Sequence, residues 1–175
     1  MKYFLDFEFM EAGREKPLIP ISLGIICENE TGIYMENAEA DLTQANAWVK
    51  ENVIPHLQGG EFLLTYPQMR EKILNFIPAK VGDDPAYLPP EFWGYFADYD
   101  WVLFCQLFGT MMDLPKGYPY FCMDLKQLAV HMGVPRKRFP EQETQVHHSM
   151  GDAWWNKKLY DYLMSHNRQR MGLKD

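Results

Sequence analysis

From Tyr3 to Phe9 the chain is a run of apolar residues interrupted only by Asp6 and Glu8, which predicts a strand over about residues 2–9. A second apolar run, Leu18 to Cys27, predicts another strand. The turn residues Glu28, Asn29, Glu30, Thr31 and Gly32 then lead into a third at Ile33–Met35. These three form an antiparallel meander. The pattern then changes period. Ala47, Trp48, Val53 and Ile54 mark an amphipathic helix stopped near Pro55, and Met69, Ile73, Phe76 and Ile77 mark another beginning after Pro67. Residues 78–90, rich in Pro, Gly and Asp, read as a surface loop. Phe92–Ala97 is an apolar strand, and Trp101–Phe108 an apolar helix stopped by Gly109. A short strand at Tyr120–Cys122, a helix over about 124–131 and a last helix over about 149–166 complete the order. That order predicts an α/β fold, a mixed sheet flanked by helices, in one domain spanning residues 1–175.

Composition narrows this picture only slightly. Of the 175 residues, 47% are hydrophobic and 15% aromatic, too many for a disordered chain. No apolar stretch reaches the roughly 20 residues of a membrane helix, and the N-terminus has no basic leader, so no membrane association is expected. Cys27, Cys105 and Cys122 stand apart without CxxC spacing, as reduced thiols in a cytoplasmic protein would. The net charge of −7 argues against sequence-independent coating of a duplex. It does not argue against a nucleic-acid substrate, because site carboxylates can be offset by bound cations.

The candidate chemistry lies in carboxylates at apolar positions. Side chains alternate along a strand, so Asp6 and Glu8 project from the same face. Adjacent carboxylates near a core repel each other and lose hydration, and a hard divalent ion such as Mg²⁺ or Mn²⁺ compensates both effects. Asp152 falls within the stripe marked by Trp155, Leu159 and Leu163 on the last helix, close to its start. His147 lies five residues before it, suited by its ordinary pKa to accept a proton near neutrality. Asp98 and Asp100 sit at a strand-to-helix junction, Asp98 suiting the N-cap and Asp100 the first turn. Each acid alone also has a plain structural explanation: an exposed strand face, a helix-dipole partner or a cap.

Taken together, Asp6-x-Glu8, the acid of Tyr99-Asp100 and His147-x4-Asp152 resemble the DEDDh branch of the 3′–5′ exonucleases, which have an RNase H-like fold. The resemblance covers nearly the whole chain. With Cys105-Gln106-Leu107-Phe108-Gly109 following the second motif, it is closest to the small bacterial exoribonucleases of mycobacterial type, relatives of ribonuclease T. It implies that Asp6, Glu8, Asp100 and Asp152 hold two metal ions, Mg²⁺ or Mn²⁺, and that His147 is the general base. It implies a single-stranded 3′ end as substrate, RNA ahead of DNA, and nucleoside 5′-monophosphates as products. Phe9 and Met10 would lie near the terminal sugar or base. A homodimer also follows from the resemblance, and from nothing else in the sequence.

Two departures stand out. Relatives often have Thr-Gly where this chain has Phe9-Met10, and Asn where it has Ala97. The cluster Arg136-Lys137-Arg138 suits phosphates, with Arg136 and Arg138 as candidate contacts, and Phe9 or Trp154 could stack a base. Two rival readings are the same chemistry on DNA and an inactive binding module of the same fold. The presence of all five motif residues argues against the inactive module.

Overall fold

The computed structural model describes residues 1–11, 13–82, 85–142 and 147–170. Its frame is a six-stranded sheet in the order β4-β3-β2-β1-β5-β6. Strands β1 (Lys2–Met10), β2 (Ile19–Cys27) and β3 (Gly32–Asn37) form the expected antiparallel meander. A short helix α1 (Ala47–Asn52) is followed by β4 (Leu63–Leu64), parallel to β3, and by α2 (Tyr66–Phe76). Strand β5 (Glu91–Gly94) lies parallel to β1 and leads to α3 (Asp98–Phe108). Then come β6 (Met123–Asp124), parallel to β5, the helix α4 (Leu125–His131) and the long helix α5 (Ser149–Arg170). A meander followed by parallel strands, flanked by helices, is the RNase H-like arrangement expected from the sequence.

The two faces of β1 explain the alternation in its sequence. Tyr3, Leu5 and Phe7 enter the main core with Met69 and Ile73 of α2 and Leu103, Phe104 and Leu107 of α3. On the opposite face Phe4 joins Leu159 and Leu163 of α5, while Met10 joins Val49 and Val53 beneath α1. Asp6 and Glu8 lie between these two apolar clusters, on the same face.

Three contacts fix the start of α5 over that gap. Ser149 Oγ lies 3.0 Å from Ser22 Oγ. Asn156 donates to the Leu5 carbonyl at 2.9 Å. At Gly24, opposite Asp6 in the β1–β2 pair, a Cβ would come within 2.4 Å of the Ser149 carbonyl oxygen, so only glycine allows the helix so near the sheet.

Several local expectations need correction. Asp98 is not the N-cap of α3; Ala97 is, without a side-chain cap bond, and Asp98 begins the helix. The strand expected at Tyr120–Cys122 forms instead at Met123–Asp124, where Asp124 also caps α4. The helix expected to stop near Pro55 already ends at Asn52, because the chain passes through Val53 into a 3₁₀ turn over Ile54–His56. Strand β4 is too short to leave a periodic signal. The loop expected over 78–90 forms no regular element among its described residues; Asp83 and Asp84 lie outside them. Among the described residues no helix is long and apolar enough to cross a membrane.

Candidate active site

Strand β1 and helix α5 bring Asp6, Glu8 and Asp152 together, each offering a carboxylate oxygen, all within 4.8 Å of one another. Glu8 is 9% exposed and Asp6 partly buried. Asp100 flanks this group. Strand β5 pairs with β1 only as far as Phe4, so the Phe7 N–H is left without a partner from β5. Asp100, 6% exposed in the first turn of α3, accepts that N–H at 2.8 Å. Its carboxylate is thereby directed toward the sheet and acts electrostatically on Asp6 and Glu8.

Burial in a poorly hydrated gap raises every one of these acids, and like charges nearby add to it at Asp6, Glu8 and Asp100. Burial, then Asp100, Asp152 and Glu8, push Asp6 well above the usual carboxylate range. Burial, then Asp152 and Asp100, push Glu8 up to about 8. Burial raises Asp100 to about 7 against the opposing Phe7 N–H bond. Burial also raises Asp152, opposed by a hydrogen bond from Gln142, by His147 and by the backbone N–H groups of His147 and His148. Added positive charge favours the ionised form of every acid in such a set. Its donors are all hard oxygens, which fits Mg²⁺ or Mn²⁺ rather than a thiolate- or imidazole-binding metal.

His147 has φ of 64°, an unusual conformation for a residue other than glycine. Its ring packs edge-to-face with Trp48, with centroids 4.7 Å apart, and its backbone N–H donates to Asp152. His148 turns elsewhere: it stacks on Tyr34 at 4.7 Å and lies 3.2 Å from the Gln58 side-chain nitrogen. Gln58 and Gly59 in turn donate their N–H groups to the buried Glu36. The second histidine thus anchors the segment that presents the first.

A cavity of about 290 Å³ opens beside the acids, lined by Glu8, Phe9, Glu11, Asn46, Trp48 and Val49. Phe9 stacks on Tyr99 with centroids 5.5 Å apart, and Trp48 is 50% exposed. Met10, by contrast, is 3% exposed in the cluster under α1 and does not line this cavity. Arg136 lies on the exposed turn after α4, where it donates to the Tyr95 hydroxyl at 3.0 Å; Arg138 is exposed on the same turn. Trp154 lines a different cleft on α5, with Lys157 and Glu30. Sequence reasoning missed Trp48, Tyr99, Gln142 and Gly24. Each acts through a contact with a distant segment, and Gly24 alone carried a local cue, a glycine inside a strand.

Comparison with known proteins identifies the family and the fold. Residues 1–164 match the model of the 3′–5′ exoribonuclease Rv2179c-like domain. The chain is 34% identical over 155 residues to the 3′–5′ exoribonuclease Rv2179c of Mycobacterium tuberculosis strain ATCC 25618 / H37Rv, covering 87% of each protein. The same figures hold for the 3′–5′ exoribonuclease MT2234.1 of strain CDC 1551 / Oshkosh. A solved structure described as 3′-end specific recognition of histone mRNA stem-loop by a 3′-exonuclease shares the fold, with TM-score 0.63 at 12% identity. The similarity covers 94% of this chain and 81% of that one.

Proposed function

The chain belongs to the Rv2179c-like 3′–5′ exoribonuclease domain family, and on that premise we propose that it is a DEDDh-type exonuclease that shortens single-stranded RNA from its 3′ end. The observation that carries the reading is the convergence of Asp6 and Glu8 from β1 with Asp152 from α5, flanked by Asp100 and approached by His147. The preference for RNA over DNA rests on the exoribonuclease names of the family and of the two relatives.

Asp6, Glu8, Asp152 and Asp100 would hold two Mg²⁺ or Mn²⁺ ions. When bound, such ions stabilise the attacking and leaving oxygens of an in-line phosphoryl displacement. The chain's own residues do the rest. The Phe9–Trp48 cavity receives the terminal nucleoside, with the two rings available to its base and Glu8 at the cavity's edge. His147 accepts the proton of the attacking water, oriented by the hydrogen-bonded turn that joins it to Asp152. The 3′ oxygen of the preceding nucleotide departs opposite the water. The phosphate leaves on the released nucleoside 5′-monophosphate, and a new 3′-OH is exposed for the next round.

Initial rates on RNA and DNA strands of one sequence, each with Mg²⁺, Mn²⁺ or a chelator, test this reading. Metal-dependent cleavage faster on RNA supports it. Cleavage undiminished by the chelator overturns the metal assignment, and a faster rate on DNA overturns the substrate preference.

A further inference from the structure

Beyond the end of β5, Phe96 combines two features that folding does not favour. Its backbone lies in the left-handed region, with φ of 59°, where a bulky side chain is an outlier. Its ring is nonetheless 58% exposed, so little apolar burial offsets the strain. Strain at a solvent-facing aromatic points to a ligand. The surroundings point to its chemistry. Tyr95 packs edge-on against Phe96 at 4.6 Å and against Trp155 at 5.1 Å. Trp155 is three residues beyond Asp152, on the adjoining turn of α5. Arg136 binds the Tyr95 hydroxyl at 3.0 Å and lies over its ring, which holds the guanidinium in place while other N–H groups remain to donate. Lys137 and Arg138 follow on the same exposed turn.

An exposed ring against Tyr95, which holds one cation and packs on the turn of α5 after Asp152, matches a polyanion whose units carry flat faces. Resting on the exonuclease reading above, we propose that Phe96 and the Arg136–Arg138 turn form a track for the nucleotides upstream of the scissile phosphate. A base stacks on Phe96 while Arg136 and Arg138 meet the phosphates that follow. The terminal-nucleoside cavity at Phe9 and Trp48 adjoins Glu8 of β1, whereas this track begins past the end of β5. The strand therefore crosses the acids between the two. The track makes the enzyme a processor of oligomers, with KM falling as the strand grows from two nucleotides to about five.

The test compares KM and kcat on oligoribonucleotides of two to seven residues for the wild type, Phe96→Gly, Phe96→Tyr and Arg136→Ala. The p-nitrophenyl ester of uridine 5′-monophosphate, which has no upstream nucleotide, serves as control. Phe96→Gly should raise KM on the longer strands roughly tenfold, within the range for one stacked base, and flatten the length dependence. Phe96→Tyr should restore it. Ester hydrolysis should not change, and because glycine relieves the strain the thermal midpoint should not fall. Arg136→Ala should raise KM on longer strands and make it less sensitive to salt. A length-independent KM in the wild type, or unchanged values in both Phe96→Gly and Arg136→Ala, overturns the track while normal ester hydrolysis leaves the exonuclease reading standing. Absence of metal-dependent hydrolysis on every substrate overturns that reading itself.

Discussion

Replacement of Gly24 by alanine should disable the site without touching any residue that does chemistry. Gly24 lies opposite Asp6 in the β1–β2 pair, directly beneath the start of α5. An alanine Cβ would sit 2.4 Å from the Ser149 carbonyl oxygen and 2.6 Å from the backbone N and Cα of Met150. These are backbone atoms, so no rotamer change relieves the clash. Ordinary contact begins at 3.4 Å, and the difference means the helix start must retreat by about 1 Å. Asp152 belongs to that first turn and moves with it, while Asp6 and Glu8 stay on β1. A misplacement of about 1 Å costs on the order of 10²-fold in rate. The stability loss should be ordinary for overpacking, about 1–3 kcal/mol, lowering the thermal midpoint by roughly 2–4 °C for each kcal/mol. The assay measures kcat at saturating RNA and Mg²⁺ beside thermal unfolding. Ile73→Ala, in the core on the far face of the sheet, supplies a control whose stability loss should be at least as large. If Gly24→Ala were no slower than this control, the close approach of α5 would not be what assembles the site.

Other perturbations separate the parts of the account. Without added divalent metal the acids should make stability fall as pH rises: between about 4.5 and 8 the unfolded chain has lost the proton that folded Glu8 still holds, and Asp100 behaves likewise up to about 7. Thermal unfolding from pH 5 to 8 should show that decline in chelator, and Mg²⁺ should flatten it; a stability rising over this range would contradict the crowding of the acids. Asp100→Asn should be far more damaging to turnover than Asp98→Asn. The amide oxygen can still accept the Phe7 N–H, so the fold survives while the charge is lost, whereas Asp98 is exposed. Equal losses measured by initial rates would misplace the second motif. His147→Ala should cut kcat by roughly 10²–10⁴-fold with little change in substrate binding, and His148→Ala should cost less in turnover and more in stability. Turnover lost chiefly at His148 would reverse their roles.

The strongest sequence signals were those in which local periodicity coincided with chemistry. Asp6 and Glu8 share a face because a strand alternates, and Asp152 lies in an apolar stripe because a helix repeats every 3.6 residues. Both facts are visible in a few consecutive residues, and the structure brings these three acids together. What stayed hidden depends on segments far apart in the chain. The bond between Asp100 and Phe7 exists because β5 stops short, and its partners are 93 residues apart. Trp48 reaches His147 through the placement of α1, which no local pattern records. The N-cap failed at Asp98 for a different reason: Asp124 takes the Ala97 N–H at 2.7 Å, a tertiary bond that fixes the turn before α3 without help from Asp98. Met10 shows that adjacency in sequence does not imply lining the same cavity: Phe9 lines it, whereas Met10, on the face of β1 that carries Asp6 and Glu8, is buried in the cluster under α1.

On the proposed reading, this constellation removes nucleotides one at a time from a free 3′-OH. A 5′-labelled single-stranded RNA incubated with Mg²⁺, together with the same strand ending in a 3′-phosphate and a circular strand, tests it most directly. The linear strand should give a ladder shortening from the 3′ end with nucleoside 5′-monophosphates as the small product. The 3′-phosphorylated strand should persist, because its terminal dianion meets the carboxylate of Glu8 at the cavity's edge. Cuts in the circular strand, or fragments ending in 3′-phosphate, would contradict it.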